Sequence, residues 1–185
     1  MKSLTVLTDE HRIIDRMLEV LVEVANRLEQ RREIAPAVAE GVLRFFRLIA
    51  DGVHHEKEER VLFPVLVRHD FGPDQPFINA LMEHHEMGRM YVQRMETQWV
   101  RLQQGDAQAR GLFVSEVRAY VDLMREHIRI EDDFFRGQAA ECLSAADHEE
   151  LAAGFEAIEK RKRLDGWPGR YRDDIATYHR LLRDA

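Results

Sequence analysis

Four long stretches of the chain place apolar residues at alternating spacings of three and four, as one face of a bundled α-helix does. The stretches run from about Thr8 to Arg32, from Pro36 to His69, from the end of the 70–76 segment to Gln104, and from the residue after Asp106 to Arg136. Thr8 is expected to cap the first helix. Pro64 is expected to kink the second helix or end it early.

Short breaks separate the four predicted helices. The segment DFGPDQP at 70–76 reads as a turn from its Gly and Pro content, and Gly105 with Asp106 forms the next break. Helices this long with connections this short favour antiparallel neighbours. We therefore expect an all-α fold, an up-down-up-down antiparallel four-helix bundle.

The chain changes character beyond Ser144. Ser144 and Asp147 have the spacing of a capping box, and the helix that they open is short and basic near its end. The DGWPG segment at 165–169 predicts a turn, and a final short helix is expected over about Tyr171 to Arg183. We expect the bundle to occupy residues 1–138, with residues 139–185 as a C-terminal helical extension packed on it.

Composition narrows the classes of function. The chain has 185 residues and a formal net charge of -7, and its Lys and Arg residues are scattered, so it lacks the basic stripe that nucleic acids require. Its apolar runs are too short for a signal peptide or a membrane span. The single cysteine, Cys142, fits a reducing compartment. We expect a cytoplasmic protein that binds neither nucleic acid nor membranes. Assembly into a homo-oligomer stays an open alternative.

Polar residues interrupt each apolar stripe at one level. The stripes contain, in chain order, His11, His54, His85 and His127, and carboxylates follow four residues later in two of them, Glu58 and Glu131. A lone core histidine is usually just hydrogen-bonded. Two buried and unpaired carboxylates, however, cost several kcal/mol each, and no stripe Lys or Arg lies near enough to neutralise them. Bound cations would compensate this cost.

The donor set indicates which cations to expect. Imidazole suits Fe, Zn and Cu, carboxylates suit harder ions, and His and Glu four residues apart share one helix face. Helical bundles with such cores hold di-iron and di-manganese sites. Two six-coordinate ions offer about twelve positions, of which these six residues and a bridging solvent oxygen fill about ten. About two positions would stay open for a small ligand.

Four motifs resemble those of the hemerythrin-like (HHE cation-binding) family. They are LTDEHRII, HHEKEERVLFP, EHHEMGR and HIRIEDD, and the resemblance covers about residues 5–136. It implies a four-helix bundle with a non-haem centre of two iron ions, bridged by an oxo or hydroxo group. The family's function implies binding of O2 or reaction with NO or peroxide, in sensing, scavenging or repair of iron centres. Carried over by motif, the four stripe histidines would be terminal ligands and the two glutamates would bridge the metals.

Two ligand positions have alternatives, and the third helix departs from one branch of the family. His84 could replace His85, and Asp132 could replace Glu131; the stripes favour His85 and Glu131. The marine oxygen carriers have a second histidine four residues along the third helix, where this chain has Arg89. This difference argues against simple reversible O2 carriage. Two other functions compete with this one. The protein could be a non-catalytic module that binds metal or O2, or a bundle in which zinc has a structural role.

Several neighbours of these motifs are expected to have ordinary roles. His55 and Glu59 also have the spacing of His and Glu four residues apart, but they fall beside the stripe. We expect them on the surface or outside the ligands, so that His55→Ala changes metal content little. Glu56 and Lys57 are expected to be solvated.

Overall fold

The described part of the chain consists of helices and short connections. The computed structural model describes residues 2–69, 71, 76–164 and 166–184. The helices are Lys2–Glu29 (α1), 36–67 (α2), Pro76–Gln103 (α3), Ala107–Arg136 (α4), Gln138–Cys142 (α5), Ala145–Lys162 (α6) and Trp167–Asp184 (α7). No strand occurs among these residues, which confirms the all-α expectation.

Helix α1 begins at Lys2 instead of Thr8. Leu4 and Leu7 are only 5% and 0% exposed, so the apolar stripe already packs before the expected cap. The Thr8 hydroxyl donates to the backbone carbonyl of Thr5 at 3.1 Å, inside the helix, and caps no first turn. Burial of the first leucines therefore decides where the helix starts, and the expected cap at Thr8 is wrong.

Helix α2 is continuous but changes its hydrogen bonding along its length. Pro36–Phe45 is regular α-helix, Phe46–His55 and Glu58–Leu62 have the wider bonding of a π-helix, and Phe63–Val67 is α-helical again. Pro64 falls in the first turn of this last segment, directly after the second π-helical stretch, and as a proline it has no N–H to donate to the preceding turn. The helix thus continues past Pro64 to Val67, so the proline does not end it. The other expectation, a kink at Pro64, stays a prediction.

The connection between α3 and α4 is the predicted break. Gly105 has a φ of 90°, a left-handed conformation that glycine adopts without a steric penalty. The Asp106 carboxylate accepts a hydrogen bond from the backbone N–H of Gln108 at 3.0 Å and caps α4. The predicted turn at 70–76 lies largely outside the described residues.

Two of the C-terminal helices have identifiable starts: a capping box begins α6, and a buried tryptophan ring begins α7. Ser144 and Asp147 form the predicted capping box, each side chain bonding the other's backbone N–H. Helix α7 starts at Trp167, before the expected Tyr171, because the Trp167 indole is fully buried against the Phe45 ring. Within the predicted 165–169 turn, Gly166 has a φ of 68°, and residue 165 lies outside the described residues.

The four long helices contact one another at several levels. Where the contacting residue lies later in one helix, its partner lies earlier in the other. The pairs are Phe77–Phe134 and Trp99–Phe113 between α3 and α4, Arg47–Glu96 and Glu59–His85 between α2 and α3, and Asp15–Arg125 and Glu29–Arg118 between α1 and α4. Helices α6 and α7 pack on α1, and α6 also contacts the second π-helical stretch of α2. None of the described helices is long and apolar enough to cross a lipid bilayer.

Two apolar clusters fill the interior, one at each end of a polar layer. One cluster contains Ile14 and Val92, and the other contains Leu7 and Leu81. Along α1 and α3, the stripe histidine therefore lies between the two clusters. The buried residues of the polar layer are His11, His54, His55, Glu58, His85, His127 and Glu131.

The contact between α6 and α2 offers a test of the packing. A Cβ on Gly154 would lie 2.5 Å from Cγ1 and 3.1 Å from Cγ2 of Val61, a stiff β-branched residue. Gly154→Ala should therefore lower the free energy of unfolding by about 1–3 kcal/mol. Thermal unfolding followed by circular dichroism measures the change.

Gly111→Ala on α4 is the matched control. A Cβ there meets nothing within 4 Å among the described residues. The change should raise stability by about 0.5–1 kcal/mol through the ordinary helix preference for alanine. Equal effects of the two substitutions would contradict the close approach of α6 to α2.

Candidate metal centre

The wide turns of α2 bring two adjacent histidines into the polar layer. His54 and His55 are 1% and 2% exposed. His54 lies edge-on to His11 of α1, with ring centroids 4.7 Å apart, while His55 stacks on His85 of α3 at 3.9 Å. Adjacent residues of a regular α-helix point about 100° apart, so one would normally leave the layer. The π-helical stretch that ends at His55 keeps both inside.

All six residues predicted from the stripes meet in this layer, and they form two groups. In each group, one ligand atom per residue lies within 4.8 Å of the others. The first group is His11, His54, Glu58 and Glu131, and the second is His55, Glu58, His85 and His127. Glu58 belongs to both groups, so a pair of cations could share its carboxylate.

The histidine Nε2 atoms point inward at the two carboxylates. His54 Nε2 lies 3.3 Å from Glu58 Oε1, and His85 Nε2 lies 3.4 Å from Glu58 Oε2. His11 Nε2 and His127 Nε2 lie 3.1 Å and 3.3 Å from the same oxygen of Glu131, Oε2. Each inner glutamate thus faces histidines from two different helices.

Carboxylates outside the layer hold three of these rings by the opposite nitrogen. His11 Nδ1 lies 2.8 Å from Asp132 Oδ1, His54 Nδ1 lies 3.0 Å from Glu10 Oε2, and His85 Nδ1 lies 2.8 Å from Glu59 Oε1. Because Nδ1 of each ring faces one of these outer carboxylates, Nε2 of each ring is directed to the interior. Metal-binding histidines are commonly oriented by such partners.

The interior atoms of the layer lack hydrogen bonds. Within the part of the chain that the structure describes, no hydrogen-bond partner is found for Nε2 of the four stripe histidines, for either oxygen of Glu58 or Glu131, or for either ring nitrogen of His55. A buried polar atom left unpaired costs about 1–3 kcal/mol. Cations would satisfy one ligand atom of each of these residues. The imidazole and carboxylate donor set fits iron, which accepts nitrogen and oxygen ligands.

The electrostatics leave most of the imidazoles ready to bind a metal. Burial lowers the pKa of His54 and His55 well below the ordinary value, and burial lowers the pKa of His127 to about 4. These rings are therefore neutral near pH 7, the form that ligates metals. His11 differs: burial lowers its pKa, but Asp132 and Glu131 outweigh burial and raise it to about 9.

The two inner carboxylates have opposite shifts. Burial, together with the charge of Glu131, raises the pKa of Glu58 well above its usual range. Burial also acts to raise the pKa of Glu131, but His127 and His11 outweigh it and lower this pKa to about 2. Without a cation the pair therefore holds one proton more readily than two negative charges. A cation could take the place of that proton.

The structure corrects the expectations for His55 and Lys57, which lie beside the stripe. His55 is not at the surface; it is buried within the second group of potential ligands. Lys57 is not solvated; it is 0% exposed, and its amine pairs with Glu10 and Glu159. Burial raises the pKa of Glu10 to about 7 against the opposing charge of Lys57. The doublet of histidines in HHEKEE was the available signal for His55, since both have a glutamate four residues later.

The alternative ligands lie outside both groups. His84 is half-buried, with its ring centroid 5.8 Å from that of His127. Asp132 accepts from His11 Nδ1 and so lies behind that ring. Glu59 lies behind His85 in the same way, and it also pairs with Arg89. Glu56, expected to be solvated, is half-buried and pairs with Arg161 and Lys162 at the end of α6.

A model of the hemerythrin HHE cation-binding domain matches residues 2–136 of the chain. The chain belongs to this family. The match ends at the last residue of α4, so α5, α6 and α7 of this hemerythrin-family chain lie beyond it.

Relatives of this hemerythrin-family chain occur in mycobacteria. Uncharacterized proteins of Mycobacterium bovis and of Mycobacterium tuberculosis, strains CDC 1551 and H37Rv, are each 27% identical to it over 157 residues, which is 84% of this chain. The matched region is 60% of the length of each relative, so the chain spans well under the full length of these proteins. No solved structure matches the chain.

Metal content tests the membership of His55 in the site. His54→Ala, Glu58→Ala and His55→Ala should each lower metal affinity by at least the 10–100-fold that loss of a partner behind a ligand typically causes. Metal per chain, measured by elemental analysis after gel filtration, reports the loss.

His84→Ala is the control, because His84 is the neighbour of a grouped histidine and lies outside both groups. It should keep the metal content of the unmodified protein. A loss from His84→Ala that equals the loss from His55→Ala would contradict the arrangement of the two groups.

Proposed function

We propose that the protein is a non-haem di-iron protein of the hemerythrin family that binds or reacts with a small ligand, O2, NO or peroxide. Its role would be sensing, scavenging or repair of damaged iron centres. The observation that carries this proposal is the pair of buried groups that share Glu58, whose inward nitrogen and oxygen atoms lack a hydrogen-bond partner among the described residues.

The proposal assigns seven residues to two iron ions. His11, His54 and Glu131 would bind one ion, His55, His85 and His127 would bind the other, and Glu58 would serve both. Glu131 Oε2 is 3.3 Å from His127 Nε2, so Glu131 is also placed to reach the second ion. Iron in such a site supplies one-electron chemistry and a position for a small ligand.

The same proposal includes the arrangement of the helices and their location. We infer an up-down-up-down antiparallel four-helix bundle over residues 1–138, because the contacts between α1 and α4, α2 and α3, and α3 and α4 all pair early with late residues. Residues 139–185 would form the extension. A cytoplasmic location is part of the proposal, and the single, half-buried Cys142 supports a reducing compartment.

A pocket beside His55 supports a small ligand. The pocket has a volume of about 280 Å³, and its walls include Phe46, Val92 and Tyr120 together with His55. Its charged lining residues are paired with one another, Arg47 with Glu96 and Arg89 with Asp51. A pocket whose charged side chains are already paired with one another favours a small uncharged molecule over an ion. His55 stands between this pocket and the ring of His85, on which it stacks.

Metal analysis and the visible spectrum test the proposed function. Protein purified aerobically from iron-replete cells should contain about two irons per chain, as di-iron bundles do. Its charge-transfer bands should change after reduction and again on exposure to O2 or NO. Zinc in place of iron would favour the structural bundle, and bands indifferent to these gases would favour a metal-storage module; either result contradicts the proposal.

Narrowing the mouth of the pocket should slow ligand entry without affecting the metals. Gln93 is an exposed residue of α3 that lines the pocket. Gln93→Trp should leave iron content and the resting spectrum unchanged, and should lower the second-order rate constant for reaction with NO or peroxide in stopped-flow experiments.

Val100→Trp, on an exposed position of α3 away from the pocket, is the control and should react at the unmodified rate. Equal rates for Gln93→Trp and the unmodified protein would mean that the ligand reaches the irons by another route.

A further inference from the structure

The amine of Lys57 lies in the interior where three helices meet. Lys57 belongs to α2 and is 0% exposed. Its Nζ donates to Glu10 of α1 and, at 2.6 Å, to Glu159 of α6, and it lies 5.7 Å from the ring centroid of Phe155. Burial of an ammonium group is tolerated only with such pairing. One carboxylate from α1 and one from α6 therefore hold this lysine in place.

Glu10 connects this ion pair to the candidate metal centre. One of its oxygens accepts from Lys57, and the other accepts from His54 Nδ1 at 3.0 Å. The contacts thus form a continuous row from Glu159 through Lys57 and Glu10 to His54. His54 Nε2, at the end of the row, lies 3.3 Å from Glu58.

Helix α6 holds Glu159 firmly at the start of this row. Gly154 lets the helix approach Val61 closely, and Phe155 and Ile158 are 3% and 5% exposed in the apolar core. One turn later, Arg161 and Lys162 pair with Glu56 of α2. The Glu159 side chain is itself only 22% exposed. Contacts on both sides thus fix the position of its carboxylate.

We propose that the C-terminal extension is an outer part of the metal site, in which Glu159 is a positioning residue that acts through Lys57 and Glu10 on His54. This inference rests on the proposed function, because it needs a bound metal on which His54 can act. It adds an element that lies outside the matched family domain, since α6 follows residue 136.

The charges of Glu159, Lys57 and Glu10 predict how the loss of Glu159 would change metal binding. With Glu159 present, Lys57 divides its attraction between two carboxylates. If Glu159 loses its charge, Lys57 interacts with Glu10 alone, and Glu10 becomes a weaker acceptor for the N–H of His54. The His54 ring then donates less electron density through Nε2, and one negative charge near the metals is lost. Both changes weaken cation binding and favour the less positive, reduced state of the metals.

The experiment compares Glu159→Gln with Glu156→Gln on the same helix. Glu156 pairs with Lys160 on the surface, with both side chains more than 60% exposed. Glu159→Gln should lower metal affinity by about tenfold, the lower end of what loss of a ligand's partner typically causes. It should also raise the reduction potential and shift the charge-transfer bands. Glu156→Gln should change none of the three quantities.

A third variant separates charge from packing. Glu159→Asp keeps the charge but is one methylene shorter, so it should return the potential and the bands toward those of the unmodified protein. If Glu159 were merely structural, the shorter side chain would be at least as disruptive as glutamine, and no return would occur. Unchanged affinity and potential in Glu159→Gln would equally overturn the inference while leaving the di-iron site intact. Failure of the unmodified protein to bind iron would instead refute the proposed function.

Discussion

Burial of the Glu58 and Glu131 carboxylates inside a helical core is the constraint on which the rest of the arrangement depends. Each would cost several kcal/mol if left uncompensated. The buried ammonium group of Lys57 is already paired with Glu10 and Glu159. The side chains that face Glu58 and Glu131 in the interior are therefore imidazoles. Three of these rings are in turn oriented by carboxylates farther out, which gives a layered order of acid, imidazole and acid.

The irregular backbone of α2 accompanies this layered arrangement of carboxylates and imidazoles. A regular helix turns each residue about 100° from the last, so adjacent side chains such as those of His54 and His55 point in clearly different directions. Long π-helical stretches are rare, and where they occur they often mark functional sites. Here the wider turns give Glu58 a histidine from its own helix on either side, one facing α1 and the other facing α3.

Counting positions along the stripes predicted the helices and brought together six residues that do meet in the polar layer. Counting positions assumes regular helices. It therefore succeeds in α1, α3 and α4, which are regular. It failed at His55, where the π-helical bonding of α2 shifts the register. It also failed at Lys57, whose burial depends on Glu10 and Glu159. These partners lie far away in the sequence, and no local pattern around Lys57 indicates them.

The polar layer between the two apolar clusters also fixes how the helices align. An apolar core alone tolerates sliding of one helix past another, because leucines and valines can exchange places with little penalty. Here a slip of one turn, about 5.4 Å, would push a histidine such as His85 into one apolar cluster and pull a leucine such as Leu81 into the layer. Single buried polar residues set the register of coiled coils in this way. The same side chains that could bind metal thus also specify a single alignment of the bundle.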